Sequence, residues 1–373
     1  MNLSKMETNC PAFTIHLDAP PEKRWRKVIE HYKEYIPDAS RIACKLLGDT
    51  TVNLLTPLLR LSFRSNMIMY KEELQAIATQ INMDPGLLLL LQLVYESFAA
   101  CTSVIANTES HPIHIRTMDW DLPILKKLTF QAKYKIRNKT IFTGTSWAGY
   151  IGVLTGMRHK QNKKQNSWSV SINFRQSPES YKTLYAEYLR NIYRTLKGYW
   201  PISYLVRETL THSITYTDAL TQFQSTELIS PTYITICGSN LGQGAVVTRS
   251  RSASDPNNYT EYLSLTNHLI QANIDHLDSK KYDSKNVDII DSKYRQSFVD
   301  LALYKYKNTS KINVENMCKI MSVSPCFCRI ITIYTTCMIP NKKYYNTSIK
   351  RDKKLLKKAK QELKETIKIA RRF

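Results

Sequence analysis

Near residue 100 the spacing of apolar residues changes, and that change limits what the chain can fold into. Before it, after an extended "AFTIHLD", apolar residues recur every three or four positions through "KRWRKVIEHYKEYI" and "YKEELQAIATQI", which is helical spacing. The last helix of this block, "MDPGLLLLLQLVYESFAA", has Asp84 placed to cap it and Pro85 in its first turn, and it delivers the chain to Cys101. Beyond it the text turns β-branched, aromatic and alternating in "CTSVIA", "PIHIRTM", "KLTFQAKYKI", "KTIFTGTSWAGYIGVLTG" and "SWSVSINF". The polar "MRHKQNKKQNS" between the last two predicts an exposed hairpin loop. Helical spacing returns over 178–226, and a second strand block follows in "TYITICG", "GAVVTRSR", "YTEYLSLT" and "HLIQANI". Helices are expected around 292–307 and 313–322, and then the strand "CRIITIYTTCMI". Two β blocks with helices between them predict a layered α+β core with antiparallel sheets.

Of the 373 residues, 53 are Lys or Arg and 31 are Asp or Glu, a net charge of +22. Such an excess attracts something anionic: nucleic acid, a membrane surface or an acidic partner. No nucleic-acid-binding fingerprint accompanies the charge, so nucleic acid is not expected, and an anionic membrane surface is. Residues 350–373 carry eleven basic and three acidic side chains, with Leu356, Ala359, Leu363, Ile367 and Ala370 on one helical face. Two readings of this tail stand: a solvated terminal helix, or an anchor for anionic lipid. No stretch is long and apolar enough to cross a membrane, and the first twenty residues lack the apolar centre of a secretory signal. N-x-S/T sequons nevertheless occur at Asn2, Asn138, Asn258, Asn308 and Asn346, so a truncated start is kept open. The eight cysteines are scattered, without the paired spacing of a zinc site, and Cys326-x-Cys328 reads as structural. No metal or cofactor is implied.

One cysteine has notable neighbours. If 101–106 and 112–118 form a hairpin turning near Thr108 and Glu109, Cys101 falls opposite Arg116, with Asp119 a short step beyond. A register slip of one residue would send Arg116 to the other face. A thiol attacks a carbonyl as thiolate, so it needs a base and a positive field. His111 and His114 lie toward the turn, away from Cys101. A cysteine that is the first residue of a mature chain carries its own base, the α-amine, whose reference pKa is about 7.7–8.0. Asp119 would orient that amine, and Arg116 would favour the thiolate. The alternative is that Cys101 is a buried filler beside a structural Arg–Asp pair.

Several ordered stretches resemble the lysosomal N-terminal-nucleophile amidases that comprise acid ceramidase and N-acylethanolamine-hydrolysing acid amidase. "PAFTIHLDAPPEKRW" resembles their opening segment, "YESFAACTSVIA" the segment around the nucleophile, and "HPIHIRTMDWD" their "H-x-x-H-G-R-N-x-D". "FTGTSWAGYIGVLTG" is similar to their "GT-x-x-GY-x-G-x-x-TG" strand pair, and "PISYLVRETL" and "GQGAVVTRSR" follow in the same order. The resemblance runs from Pro11 to about Cys337. It implies an αββα sandwich and an inactive precursor that cuts itself between Ala100 and Cys101. The parts would be a helical α chain (1–100), a catalytic β chain (101–349) and the basic tail (350–373). Carried over by motif, Cys101 is nucleophile and base, Arg116 and Asp119 hold the family's positions, and Asn273 in "QANIDH" is the oxyanion-hole amide. Arg295 in "DSKYR" resembles a further arginine of the wider bile-salt-hydrolase and penicillin-acylase group, with Lys293 as rival. The implied substrate is a fatty-acyl amide lipid, of the N-acylethanolamine type ahead of ceramide, and the implied compartment is lysosomal or secretory. The departures are Thr117 for the family's Asn, Ile115 for Gly, Phe174 for an acidic residue and Leu277 for Trp; a lipid-binding relative without turnover, motivated by Phe174 and the basic tail, is the other class.

Overall fold

The computed structural model describes residues 8–64, 68–94, 100–175, 184–265, 268–272, 287–305, 312–323, 326 and 331–349. The alternating stretches form two sheets. The six-stranded sheet runs, neighbour to neighbour, β1 (Thr8–Asn9), β14 (Tyr344–Ile349), β13 (Thr332–Ile339), β4 (Pro112–Asp119), β3 (Ala100–Asn107) and β12 (His268–Ala272), all antiparallel. The eight-stranded sheet runs β11 (Tyr259–Tyr262), β10 (Gly244–Arg249), β9 (Thr232–Cys237), β8 (Trp168–Phe174), β7 (Thr155–Arg158), β6 (Lys139–Trp147), β5 (Thr129–Ile136) and β2 (Ala12–His16). Only its β2–β5 pair is parallel.

The helical segments are α1 (Pro21–Arg24), α2 (Arg26–Tyr32), α3 (Ile36–Leu47), α4 (Asp49–Ser62), α5 (Lys71–Gln80), α6 (Pro85–Gln92), α7 (Leu125–Leu128), α8 (Leu184–Leu196), α9 (Ile202–His212), α10 (Tyr216–Ser225), α11 (Val287–Tyr304) and α12 (Val314–Met321). On the outside of the six-stranded sheet, Val104, Ile113, Ile115, Cys337 and Ile339 pack with Val299 and Leu303 of α11 and Met317, Ile320 and Met321 of α12. On the outside of the eight-stranded sheet, Trp168, Val170, Ile172, Ile234 and Ile236 share a core with Leu205 and Leu210 of α9 and Ala219 and Phe223 of α10. The N-terminal helices belong to that same core through Trp25, Leu59, Leu74 and Leu90. The order of layers is therefore helix, sheet, sheet, helix, the αββα arrangement.

The space between the sheets is largely polar, because inward positions of neighbouring strands hold hydroxyls and amides. Ser103 and Arg116 of the six-stranded sheet bond across it to Ser171, Asn173 and Thr155 of the other. Every such group must find a partner once it leaves water.

The first hundred residues do more than form helices. β1 pairs with β14 at one edge of the six-stranded sheet, and β2 pairs with β5 at the edge of the eight-stranded one. Neither β1 nor β14 is among the strands read from sequence; in β14 only Thr347 and Ile349 are buried, too few for a clear alternation. The cap of α6 is as expected: Asp84 Oδ1 accepts from the Gly86 and Leu87 amides at 2.7 and 3.4 Å. Gly86 lets α6 lie against α4, since a Cβ there would sit 2.2 Å from Thr56 O. The expected helix over 350–373 lies outside the described residues, as do Asn273, Leu277 and Cys328.

Candidate active site

The β3–β4 ladder pairs Ala100 with Asp119, Cys101 with Met118, and Ser103 with Arg116. The expected pairing of Cys101 with Arg116 is thus off by two residues. The reason lies in the turn, which closes beyond Asn107 and Pro112 with four residues between. There the Thr108 amide donates to His111 O at 2.9 Å, and Thr108 Oγ1 accepts from the Ser110 and His111 amides. A slip of two leaves each side chain on its original face. Cys101 and Arg116 still point the same way, on a diagonal rather than opposite.

That diagonal is occupied. Arg116 Nη2 donates to Cys101 Sγ at 2.9 Å and to Ile172 O at 2.8 Å. Nη1 donates to Thr155 Oγ1 at 2.7 Å and to Tyr334 Oη at 2.8 Å. The guanidinium is fully buried, lies 5.5 Å from the Tyr334 ring centre and is held from four strands besides its own. Burial pushes the Tyr334 phenol up, outweighing the pull of Arg116, so it stays neutral and accepts the Arg116 hydrogen. A cation this close to a sulfur in a dry site favours the thiolate.

Asp119 is carried by the residue directly across the ladder from Ala100. Its carboxylate accepts hydrogen bonds from Thr332 Oγ1 and, at 3.3 Å, from Thr117 Oγ1. Arg295 of α11 lies 3.8 Å from it and also donates to Cys101 O at 3.1 Å and Thr102 Oγ1 at 2.6 Å. Lys293, the rival, is exposed, so Arg295 is the basic residue of that helix at the site. Cys101, Arg116, Asp119 and Arg295 are brought together from 194 residues of chain. Ala100 precedes them on β3.

The departures acquire physical meaning here. Thr117 supplies one of the hydrogen bonds on Asp119. Ile115 points at α11 and α12 and fills their apolar layer. Phe174 is half-buried at the end of β8 and pairs with Thr232.

Sequence reasoning missed Thr155, Tyr334, Thr332, Thr102 and Asn173. The last donates from Nδ2 to Cys101 O at 3.2 Å. Their signal was the run of hydroxyl and amide residues at alternate strand positions, as in "SVSIN", where an ordinary sandwich would place apolar side chains inward.

Beside the site lies an apolar cavity of about 100 Å³ between α3, α6 and the β6–β7 connection. Ile36, Ala39, Leu88, Leu91, Trp120 and Trp147 are among its walls. Trp147 packs on Trp120 at 6.0 Å and on Tyr334 at 6.3 Å, so one indole separates the cavity from the ring that binds Arg116. Among the described residues no group of His, Cys, Asp and Glu gathers where a metal ion could be held.

Comparison with known proteins agrees with this architecture. Residues 8–65 match the family model of the beta subunit of N-acylethanolamine-hydrolyzing acid amidase. The chain is 30% identical over 336 residues to uncharacterized protein R632 of Acanthamoeba polyphaga mimivirus, covering 90% of this chain and 98% of that one. It is 27% identical over 343 residues to the N-acylethanolamine-hydrolyzing acid amidase of Caenorhabditis elegans, covering 88% of each. With the acid ceramidase of Rattus norvegicus it shares 27% identity over 313 residues, covering 74% of each. A solved structure of the Caenorhabditis elegans N-acylethanolamine-hydrolyzing acid amidase ortholog superposes with a TM-score of 0.55 at 26% identity, covering 67% of this chain and 99% of that chain. The sandwich is thus the N-terminal-nucleophile hydrolase fold, and the chain belongs to the family of N-acylethanolamine-hydrolysing acid amidases and acid ceramidases.

Proposed function

We propose that this chain hydrolyses the amide bond of fatty-acyl amide lipids, with the N-acylethanolamine type preferred to ceramide, through a Cys101 thiol freed by scission between Ala100 and Cys101. The observation that carries the reading is the Arg116 nitrogen 2.9 Å from Cys101 Sγ, with Asp119 across the ladder from the bond to be cut. Once Cys101 is the first residue, its α-amine takes the thiol proton, and Asp119 orients the amine. The thiolate adds to the amide carbonyl, and Asn273 donates to the oxyanion. The same amine returns its proton to the departing amine, leaving a thioester. Water then adds to the thioester, releasing the fatty acid and restoring the thiol. On this reading the acyl tail enters the apolar cavity behind Trp147.

The substrate lives in a membrane, and the surface suits one. Ile42 and Leu46 of α3 and Leu54, Leu58 and Leu61 of α4 are exposed, and the net charge of +22 favours anionic lipid. The other face of α3 lines the cavity, so a docked bilayer would lie next to the acyl site. On this reading the N-terminal segment stays attached after scission, since β1 belongs to the six-stranded sheet and β2 to the eight-stranded one, and the enzyme works in a lysosomal or secretory compartment.

Intact mass before and after acid incubation is the deciding experiment, followed by a panel of acyl amides and ceramides. Two chains split before Cys101, both scission and hydrolysis being lost in Cys101→Ala, are expected. A single chain that never acquires thiol-dependent hydrolysis would instead favour a lipid-binding relative, the reading that Phe174 motivates.

A further inference from the structure

We propose that His114 sets the direction of a hydrogen-bond chain through Ser171 and Ser103 to Asn173, and that Asn173 is thereby a positioning residue for Cys101. The proposal rests on Cys101 being the nucleophile. All five side chains, with Ser169, lie fully buried between the sheets.

The direction follows from counting hydrogens. Asn173 Nδ2 donates to Cys101 O at 3.2 Å and to Gln271 O at 2.8 Å, and Oδ1 accepts from Ser103 Oγ at 2.7 Å. A flipped amide would set Oδ1 against two carbonyl oxygens, so its orientation is fixed. Ser103 has one hydroxyl hydrogen and spends it on Asn173, so in its 2.8 Å contact with Ser171 it accepts. Ser171 has then spent its own hydrogen and must accept in its 2.8 Å contact with His114 Nε2. That nitrogen therefore carries the proton, and Nδ1 accepts from Ser169 Oγ at 3.0 Å. Burial, then the nearby Arg116, hold His114 neutral with a pKa of about 3, as this tautomer requires. Every hydrogen in the row points toward Cys101.

The end of the row matters because of where Cys101 sits. Among the described residues, the β12 side of the ladder starts at Thr102, paired with Ala272. Scission before Cys101 would make it a strand's first residue, prone to fray. Its carbonyl is gripped from two layers, by Arg295 of α11 and by Asn173 of the other sheet. A sulfur displaced by about 1 Å from Arg116 and the substrate can lose about 100-fold in rate.

The test uses the full chain and the variants Asn173→Ala, Ser103→Ala, His114→Gln and His114→Phe. Hydrogen–deuterium exchange of the peptide covering 101–107 reads the grip whether or not the protein turns over, and kcat and KM on an acyl amide read its consequence. Asn173→Ala and Ser103→Ala should raise exchange in that peptide about tenfold, the loss of about one hydrogen bond. They should lower kcat about 10- to 100-fold with KM nearly unchanged. His114→Gln restores an N–H toward Ser171 and should stay close to the parent, whereas His114→Phe should match Ser103→Ala. Parental exchange in both Asn173→Ala and Ser103→Ala, or equal damage from His114→Gln and His114→Phe, overturns the proposal. Ser103→Ala loses a single oxygen and serves if Asn173→Ala does not fold. A parent that neither splits nor hydrolyses would sink the nucleophile reading, while the exchange data still judge the row.

Discussion

Arg116 donates to Cys101 Sγ across a diagonal of the β3–β4 ladder at 2.9 Å, while its other terminal nitrogen is held by Thr155 and Tyr334. The guanidinium is therefore aimed by other strands rather than by its own rotamer alone. A fork of this shape cannot be copied by a single ammonium. Arg116→Lys should keep the charge yet lose the aim, slowing alkylation of Cys101 by iodoacetamide about 10- to 100-fold, the worth of a charged hydrogen bond. Unchanged alkylation would mean that charge alone, without direction, sets the thiol's reactivity.

A second buried charge cluster joins the N-terminal segment to the catalytic layers. Glu73 of α5 accepts from Arg207 of α9 at 2.7 and 3.0 Å, from Trp25 Nε1 at 2.7 Å, and from Arg24. Burial pushes the Glu73 carboxyl up, but Arg207, Trp25 and Arg24 together outweigh it and hold it below its ordinary 4.5. A depressed carboxylate contributes stability that is complete above the unfolded value and lost as pH falls through the lower folded one. The link therefore survives at mildly acidic pH and fails only below about 4.5. Glu73→Gln leaves Arg207 buried without its counter-charge and should cost about 3–5 kcal/mol in urea unfolding. A cost under about 1 kcal/mol would show that the cluster does not hold the segment in place.

How far such features could be read from sequence depends on how local they are. The Asp84–Pro85 start of α6 and the Cys101–Arg116 hairpin lie within a few dozen residues and were legible. The two-residue slip came from a turn whose Thr108 side chain caps two amides, a detail that apolar spacing does not carry. Arg295 was legible only through resemblance, since nothing nearby in the chain points a helix at Cys101. Tyr334 lies 218 residues from Arg116, and no local pattern marks it as the ring that aims the guanidinium. The polar layer hid for another reason: Ser and Thr at inward positions look like the solvent face of an ordinary strand.

Burial of neutral histidine gives the fold a pH slope of predictable sign. His114 titrates at about 3 when folded, against an ordinary 6.5. The unfolded chain takes up the proton first as pH falls. Stability should therefore drop below pH about 6.5 and keep dropping to about 3, by about 1.4 kcal/mol per pH unit for one such group. His159, lowered to about 4 by burial and then by Lys343, adds a slope of the same sign. His114→Gln should remove one proton's worth of that slope in urea titrations at several pH values. An identical slope in the variant would place the acid sensitivity elsewhere.

Trp147 separates the apolar cavity from the Tyr334–Arg116 pair, and its contacts with Trp120 and Tyr334 suggest what each substitution does. Phenylalanine keeps a ring between Trp120 and Tyr334 and removes an indole N–H that has no hydrogen-bond partner among the described residues. Its cost in stability should stay below about 1.5 kcal/mol. Alanine opens the wall and should cost about 3–5 kcal/mol. If the cavity takes the acyl tail, Trp147→Ala should also lower kcat/KM for a long-chain acyl amide more than for a short-chain one, because only the long tail extends past the missing wall into the cavity. Equal losses for both chain lengths, measured where the variant is still folded, would put the acyl tail somewhere other than behind Trp147.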